Sequence, residues 1–347
     1  MATVTLIGID IGKHSFHLIG HDATGHIQLK RQCSRHVLID FLAKQPVCRI
    51  VMEACCGAHW LGRKLEALGH HVQLIAPQYV RPFVTGNKND FLDAQAICEA
   101  ASRPSMRYVA IKSPEQQALS ALHRLREARI AERVQTGNQI HALLLEFGIA
   151  LPPGQRGIHE ASAIESSNDS ELPLLVRQVL TRHLQHYRLL QKQLDELDAE
   201  VTARAKQDDV ACRLMTIPGV GPITASLVAA DAGNAKGYGN ARDFAASLGL
   251  VPKQHSTGGR PTLLGISKRG DKELRRLLVQ CAHVIMQNAT RWDTAIAQWT
   301  AKLMLRRHAN IVACALANKL ARVMWAILAK GGEYHPHPAR PDVKTAG

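Results

Sequence analysis

The sequence lacks the features that mark secreted, thiolate-metal and membrane-spanning proteins. Its 8 cysteines include the adjacent pair at 55–56, but none has the C-x-x-C spacing of a zinc or redox motif. The N-terminus has neither the basic segment nor the long apolar run of a signal peptide. The most apolar late stretch, residues 311–328, contains Lys319 and Arg322, so it predicts a buried or amphipathic helix and not a membrane span. We expect a cytoplasmic protein with reduced core thiols and no membrane partner.

Acidic residues are outnumbered by basic ones. The 347 residues include 43 Lys and Arg against 29 Asp and Glu, which gives a formal net charge of +14. A field of this sign attracts polyanions, so nucleic acid is the leading partner class, ahead of an anionic membrane surface. The length predicts at least two domains, because single cores rarely grow far beyond about 250 residues.

The first apolar segment, residues 6–13, predicts a central buried strand that carries one carboxylate, Asp10. A buried, unpaired carboxylate is costly, so Asp10 needs a compensating partner. A metal ion is the partner that we favour. The alternative is an aspartate at the strand end that caps a turn with Gly12.

The order of the next elements predicts a mixed sheet. Residues 6–31 have the pattern of three strands in a meander, and a helix follows. A fourth strand ends on Glu53, and after another helix a fifth strand is stopped by Pro77. This order matches an α/β ribonuclease-H-like (RuvC-like) sheet with helices packed against it.

Two further carboxylates begin the next predicted helix. Asp90 and Asp93 are three residues apart and therefore share one helix face. With Asp10 and Glu53 at neighbouring strand ends, they can hold one or two Mg²⁺ ions, which bind oxygen ligands and assist phosphoryl transfer. The alternative is that Asp90 and Asp93 only complement the dipole of a helix N-terminus. The combination of all four residues favours the metal site.

The middle of the chain predicts a long helical hairpin. Residues 114–147 are helical and highly charged, residues 154–170 have loop composition, and a second helix begins near residue 172. A narrow coiled-coil seam with spacings of three and four residues runs along that second helix at Tyr187, Leu190, Leu194, Leu197 and Val201. The hairpin packs either on its own chain or in a dimer, and the pattern does not decide between the two.

Residues 214–225 predict a helix-hairpin-helix. Gly219 and Gly221 permit a tight turn and leave backbone N–H groups at a helix start, where a DNA phosphate can bind without base readout. We favour DNA contact there. The alternative is a turn with a purely structural use.

Residues 248–260 predict a flexible glycine loop with hydroxyl groups among cations, and the basic segment 266–276 follows. A serine or threonine can attack phosphorus if its proton is removed and the developing charge is neutralised. The candidate helpers are His255, Lys253, Arg260, Lys268 and Arg269. A loop that grips phosphate without supplying a nucleophile is an equal alternative. Helices from residue 272 to 328 and a loose tail at 331–347 complete the prediction.

Six segments together resemble the DEDD transposases of bacterial insertion sequences, the family numbered one-ten and in particular its eleven-eleven branch. They are residues 8–13, 52–54, 87–94, 217–221, 248–252 with 255–259, and 267–271. The resemblance covers residues 1 to about 330 and implies four segments. They are a RuvC-like catalytic domain at 1–112, a helical coiled-coil connector at 113–206, a transposase domain with helix-hairpin-helix and serine loop at 207–330, and a flexible tail at 331–347.

The resemblance also implies an activity. Asp10, Glu53, Asp90 and Asp93 become the metal-binding tetrad for Mg²⁺-dependent DNA strand cleavage and exchange. The family's nucleophilic serine forms a covalent link to DNA, and a structured RNA from the element's own non-coding end guides recombination. The implied partners are element-end and target DNA and this guide RNA. Because exchange of strands between two DNA molecules needs at least two cleavage centres, we expect a nucleoid-associated homodimer or homotetramer whose subunits share active sites.

The nucleophile has two candidates in this sequence. Counted from Pro252, the serine of some relatives falls on Thr257. We assign the role to Ser256 because it is the serine in this loop. The predicted nucleic-acid contacts are Gly219, Gly221, Lys253, Arg260, Lys268 and Arg269.

Three other classes of protein compete with this interpretation. A metal-dependent nuclease on branched DNA needs the same tetrad but forms no covalent intermediate. A sugar-kinase or actin-like ATPase also fits residues 8–12, but the later glycine-rich adenosine signature is lacking. A non-catalytic nucleic-acid-binding protein has no need for the four carboxylates.

Overall fold

The computed structural model describes residues 3–86, 89–167, 172–233, 235, 237–292 and 294–335. Part of the 87–94 motif, Asn87 and Lys88, lies outside the described residues, as do the end of the predicted 154–170 loop and the tail from residue 336 onwards.

The N-terminal region is a six-stranded mixed sheet flanked by helices. Its strands are β1 (Leu6–Ile11), β2 (Ser15–His21), β3 (Ile27–Ser34), β4 (Arg49–Glu53), β5 (His71–Ile75) and β6 (Tyr108–Val109). Its helices are α1 (Arg35–Ala43), α2 (Ala58–Ala67), α3 (Pro77–Val80) and α4 (Asp90–Ala101). The spatial order is β3-β2-β1-β4-β5-β6, with β1, β4 and β5 parallel and the other pairs antiparallel. The predicted mixed sheet is confirmed, and β6 is an addition.

Strand β1 is buried on both faces, which explains its nearly continuous apolar sequence. Ile7 and Ile9 pack with Leu61 and Leu65 of α2 on one face. Residues of even number point to the opposite face, because side chains alternate along a strand. That face carries Gly8 and Asp10, and it is the face on which α4 packs.

The C-terminal region is mostly helical, as predicted. Its helices are α5 (Pro114–Leu145), α6 (Gln155–Ser166), α7 (Leu174–Gln207), α8 (Asp209–Met215), α9 (Pro222–Ala232), α10 (Ala241–Ser247), α11 (Lys272–Gln287), α12 (Ala295–Met304) and α13 (Ala309–Lys330). A hairpin of β7 (Pro252–Thr257) and β8 (Arg260–Ile266) lies between α10 and α11 in the chain.

Residues 155–166 form the helix α6 and not the predicted loop. The prediction rested on composition, and packing overrides it. Ala161 of α6 is fully buried in a cluster with Ile140 and Leu144 of α5 and with Leu180 and Leu184 of α7. The apolar face of α6 is therefore stabilised by the two long helices.

The seam of α7 faces the interior of its own chain. Leu190, Leu194 and Val201 are at most 3% exposed. Arg126 of α5 also forms an ion pair with Asp198 of α7. These contacts of the seam lie within one chain, and a coiled-coil pairing with a second subunit stays a prediction.

Helix α13 is the one described helix with the length and apolarity of a membrane span, and half of its most apolar window is buried inside the protein. Its buried residues are Val312, Ala313, Leu316, Ala317, Leu320, Ala321, Met324, Ile327 and Leu328. They recur at helical spacing on one face, which is typical of a helix that packs on a protein core. This agrees with the predicted buried or amphipathic helix.

By packing, the chain divides into two compact units. The first comprises the described residues of 1–117, 230–244 and 328–330, and it contains the mixed sheet. The second comprises those of 118–229, 245–327 and 331–347, with the long helices and the β7–β8 hairpin. The four segments implied by the resemblance stay a prediction.

Candidate metal and nucleic-acid sites

The close approach of α4 to β1 positions the acidic residues. A Cβ atom on Gly8 would lie 2.5 Å from the carbonyl oxygen of Ala94 and 2.6 Å from Sγ of Cys98. Only a residue without a side chain therefore lets the helix lie directly on the strand. This contact brings the first turn of α4 to the end of β1, where Asp10 lies.

Three carboxylates converge at this point. Oxygen atoms of Asp10, Asp90 and Asp93 all lie within 4.8 Å of one another. Glu53 is outside this triplet but ends β4, whose Met52 pairs with Ile9 in the parallel ladder next to β1. The ladder explains why the sequence positions of Asp10 and Glu53 predict spatial neighbours.

The four carboxylates repel one another. Burial, followed by the charges of Asp93 and Asp90, raises the pKa of Asp10. Burial, followed by the charges of Asp10 and Asp93, raises the pKa of Glu53. Two carboxyl groups with raised pKa values beside two further carboxylates suit a hard divalent cation, which would relieve the repulsion.

The first turn of α4 also satisfies the alternative interpretation of Asp90 and Asp93. Asn89 caps the helix, because its side chain accepts a hydrogen bond from the backbone N–H of Phe91 at 3.0 Å. Both aspartates therefore lie where the helix dipole favours negative charge. Their convergence on Asp10 is the additional feature that a simple helix start does not require.

His17 is a site neighbour that the sequence analysis missed. It lies opposite Asp10 in the β1–β2 ladder and is 7% exposed. Its Nδ1 is 3.6 Å from Oδ2 of Asp90, and its ring meets Phe91 edge-on with centroids 4.8 Å apart. The short connection between the first two strands was the available signal, because it fixes which residue of β2 faces Asp10.

Cys55 follows the end of β4 and carries a thiol close to the acidic cluster. The residue as a whole is exposed, but partial desolvation of its sulfur atom, with the negative charges of Glu53 and Asp10, raises the pKa of the thiol to about 11. In the metal-free protein the group is therefore a neutral thiol at neutral pH. The prediction of core thiols is wrong for Cys55, Cys56 and Cys212, which are exposed. It is confirmed for Cys33, Cys48, Cys98 and Cys281, which are buried.

The predicted flexible serine loop is instead the β7–β8 hairpin. Gly258 and Gly259 form its two-residue turn with φ values of +56° and +76°. Two glycines suit a tight two-residue turn whose backbone twist matches the twist of the flanking strands. This turn explains why the segment forms an ordered hairpin. Residues 252–265 are all exposed along both strands. The ribbon is therefore accessible to a large partner.

The two candidate nucleophiles lie on opposite faces of this ribbon. Ser256 is opposite Pro261, and Thr257 is opposite Arg260. His255 shares the face of Thr257 because side chains alternate along a strand. Oγ of Ser256 accepts a hydrogen bond from Nε2 of Gln254 at 2.8 Å. The imidazole and guanidinium helpers thus lie on the threonine side.

Lys268 and Arg269 lie exposed at the base of the hairpin. The backbone N–H of Lys268 donates to the carbonyl oxygen of Gly249 at 3.1 Å, and that of Ser267 donates to Val251 at 2.7 Å. These bonds fix the 267–271 motif against the 248–252 motif. Lys253 is exposed on the hairpin itself, where the ladder register shifts.

The turn between α8 and α9 contains one glycine with a clear packing role. Gly219 has φ +77°, and a Cβ there would lie 2.7 Å from Cγ1 of Ile285 in α11. A Cβ on Gly221 would meet open space. The turn lines a cavity of about 910 Å³ together with Arg126 and Arg291. Packing alone therefore accounts for Gly219, and phosphate contact at this turn stays a prediction.

We expect Gly8→Ala to lower the free energy of unfolding by about 1–3 kcal/mol, the usual cost of overpacking. The displaced helix carries Asp90 and Asp93, so the affinity for Mn²⁺ should fall on the order of tenfold. Chemical denaturation and metal titration by calorimetry measure the two effects. Gly265→Ala is the matched control, since its added Cβ meets nothing within 4 Å. Equal free energies of unfolding and equal Mn²⁺ affinities of the two variants would contradict the positioning role of Gly8.

Known proteins resemble this chain over almost its whole length. A family model described as "Transposase IS116/IS110/IS902 family" matches residues 211–298. A DEDD-type IS110 model described as "Transposase" matches residues 7–149. The transposase for insertion sequence element IS1328 of Yersinia enterocolitica is 52% identical over 331 residues, which cover 95% of this chain and 98% of the relative.

Two further relatives agree. A probable family 20 transposase of Pseudomonas aeruginosa is 42% identical, over 95% of this chain and 98% of its own length. The transposase for insertion sequence element IS1111A of Coxiella burnetii is 37% identical, over 96% of this chain and 92% of its own length. By these matches, the chain belongs to the IS110 family of insertion-sequence transposases, enzymes of DNA cleavage and strand transfer.

Proposed function

We propose that this transposase is a site-specific DNA recombinase that cleaves and exchanges strands with Mg²⁺ and a covalent serine–DNA intermediate, guided by an element-encoded RNA. One observation carries the proposal, the convergence of Asp10, Asp90 and Asp93 within 4.8 Å. Glu53 completes the set through its electrostatic interaction with Asp10 and Asp93. These four side chains would hold the metal.

The division of chemical roles follows from the residue types. Mg²⁺ bound there would supply charge stabilisation for the oxygens of a phosphoryl displacement. The carboxylates orient it, and the exposed cations Lys253, Arg260, Lys268 and Arg269 bind phosphates of the nucleic acid. Ser256 provides the attacking oxygen: its new bond to phosphorus replaces one P–O bond of the phosphodiester, and the released strand end leaves as a hydroxyl that takes up a proton. The hydrogen bond from Gln254 leaves the proton of the serine hydroxyl free to be removed.

The finer architecture belongs to the same proposal. The RuvC-like sheet is the catalytic domain, α5 and α7 form the coiled-coil connector, and α8 and α9 form a helix-hairpin-helix that contacts DNA through Gly221. Exchange of strands between two DNA molecules needs at least two cleavage centres, so we propose a homodimer or homotetramer. The enzyme acts in the bacterial cytoplasm on nucleoid DNA.

A metal-dependent nuclease without a covalent intermediate is the second candidate. It is favoured by one observation, the placement of Ser256 on the ribbon face opposite to His255 and Arg260. On that face Ser256 has Gln254 as its hydrogen-bond partner and Pro261 across the ladder. Neither of these groups is a general base.

One assay tests the proposed function. Purified protein with its co-purified RNA is incubated with element-end DNA and target DNA, with Mg²⁺ or with chelator. Recombined product that depends on both metal and RNA supports the proposal. Cleavage without strand exchange and without need for RNA supports the nuclease instead.

We expect reversal of the charges at Lys268 and Arg269 to weaken nucleic-acid binding at every sequence tested. Each lost phosphate contact should reduce the slope of log affinity against log salt by about 0.9 on B-DNA. Fluorescence anisotropy at several salt concentrations measures the slope of the Lys268→Glu, Arg269→Glu variant. Lys192→Glu on α7 is the control, because it reverses the charge of another exposed basic residue. An unchanged slope would place the phosphate contacts elsewhere.

A further inference from the structure

The corner between α12 and α13, residues 303–311, exposes large apolar side chains; we call it the Leu305 corner. Leu305 is 87% exposed, the highest fraction among the large apolar side chains of the described residues. Met304 and Ile311, on either side of it, are 43% and 55% exposed. Three large apolar side chains exposed within eight residues of sequence are denser than the single ones of an ordinary surface, and such exposed apolar surface marks interaction sites.

The backbone holds Leu305 on an ordered turn. The N–H groups of Arg306 and Arg307 both donate to the carbonyl oxygen of Leu303 at 3.0 Å. On the other side, Nδ1 of His308 accepts a hydrogen bond from the N–H of Asn310 at 3.2 Å and caps α13. Because both flanking helix ends are fixed, Leu305 projects from a rigid corner.

The charge around the corner selects the partner. Arg306 and Arg307 are exposed, and neither forms an ion pair with a carboxylate of the described residues. The sequence has no Asp or Glu from residue 294 to 327, whereas that stretch contains Lys302, Arg306, Arg307, Lys319 and Arg322. Such a surface repels a second copy of this strongly basic chain and attracts phosphates.

We propose that the Leu305 corner inserts into duplex DNA, with Leu305 between two base pairs and Arg306 and Arg307 on the flanking phosphates. Apolar wedges beside arginines kink DNA in this way from the minor groove. A flexible pyrimidine–purine step, such as TA, is the cheapest to open and is the expected target. The inference rests on the proposed action on DNA, but it needs neither the metal nor the serine.

The test uses the full protein with its co-purified RNA, in chelator, and element-end duplexes with 2-aminopurine at one TA step after another. For the wild type we expect fluorescence to rise at one step, because unstacking relieves quenching. Leu305→Ala should abolish this rise and weaken binding on the order of tenfold. Arg306→Gln with Arg307→Gln should lower the salt slope by about 1.8, which is two contacts at about 0.9 each.

Leu175→Ala is the matched control, because Leu175 of α7 is 70% exposed and lies outside the corner. Equal melting temperatures confirm that both variants fold. The proposal would be overturned if Leu305→Ala kept the fluorescence rise and the DNA affinity of the wild type. It would also be overturned if light scattering showed a changed subunit number in Leu305→Ala while its DNA binding stayed intact. A protein that unstacks DNA in chelator but never cleaves it with Mg²⁺ supports this inference and contradicts the proposed function.

Discussion

Asp10→Asn is expected to abolish DNA cleavage and to raise the melting temperature of the metal-free protein. The substitution removes one of the converging charges, so a bound cation loses a ligand. The transition state of cleavage then loses stabilisation of several kcal/mol, which is equivalent to a fall of at least about a thousandfold in the cleavage rate. The same change relieves repulsion from Asp90 and Asp93 in the absence of metal. Gain of stability with loss of activity separates a metal site from a structural aspartate.

The pH dependence of this stability difference has a defined sign. The folded-state pKa of Asp10 is raised above its ordinary 3.8, so the folded protein binds that proton more tightly than the unfolded chain does. The destabilisation that the ionised Asp10 side chain causes is fully present at pH values above its raised folded-state pKa. It disappears as the pH falls to the ordinary pKa of the group. The gap in melting temperature between Asp10→Asn and wild type, measured in chelator, should therefore narrow towards acid pH.

Asp40→Asn serves as the control for this variant, because Asp40 is an exposed aspartate on α1. It should leave cleavage, metal affinity and the melting temperature unchanged. Full cleavage by Asp10→Asn, or a metal-induced rise in melting temperature equal to that of the wild type, would remove Asp10 from the site.

Ser256→Ala is expected to eliminate the covalent protein–DNA adduct while RNA and DNA affinities stay within about twofold, the usual range for an exposed substitution. Without the hydroxyl there is no oxygen to form the ester with phosphorus. Denaturing gels of reactions with labelled DNA detect the adduct, and mass spectrometry of the digested protein locates it. Mixing this variant with Asp10→Asn should restore some activity if subunits share active sites.

Thr257→Val is the matched control, because it removes a hydroxyl from the opposite face of the same ribbon. An adduct lost in Thr257→Val and kept in Ser256→Ala would transfer the role to the threonine, beside His255 and Arg260. Recombination by the wild type with no adduct at either position would favour direct metal-activated hydrolysis.

The sheet was predictable because its determinants are local. Short apolar strands, turn residues such as those at 22–25 and the helix starts appear in the order of the chain, and the ladder register then puts Asp10 beside Glu53. The same logic failed at α6, where the composition of residues 155–166 is that of a loop. Helix formation there depends on burial of Ala161 between α5 and α7, a contact between distant segments.

The acidic cluster was only partly predictable. Carboxylates at strand and helix ends can be identified in the sequence, but the spacing between α4 and β1 depends on Gly8, whose role is visible only when the helix lies above it. The serine hairpin is a similar case. Glycines in a sequence indicate conformational freedom of the backbone, yet Gly258 and Gly259 form a defined turn. Ser256 and Thr257 then lie on opposite faces of the hairpin.

The close contact between α4 and β1 also has a dynamic consequence. Two of the four acidic side chains belong to the sheet, and the other two belong to the first turn of a helix, the part that opens most readily. Their repulsion favours local opening of that turn, and a divalent cation held by residues of both elements would oppose it through linkage. Amide hydrogen exchange at Asp93 and Ala94 should therefore slow sharply when metal binds, which makes the start of α4 a local folding unit controlled by the ion.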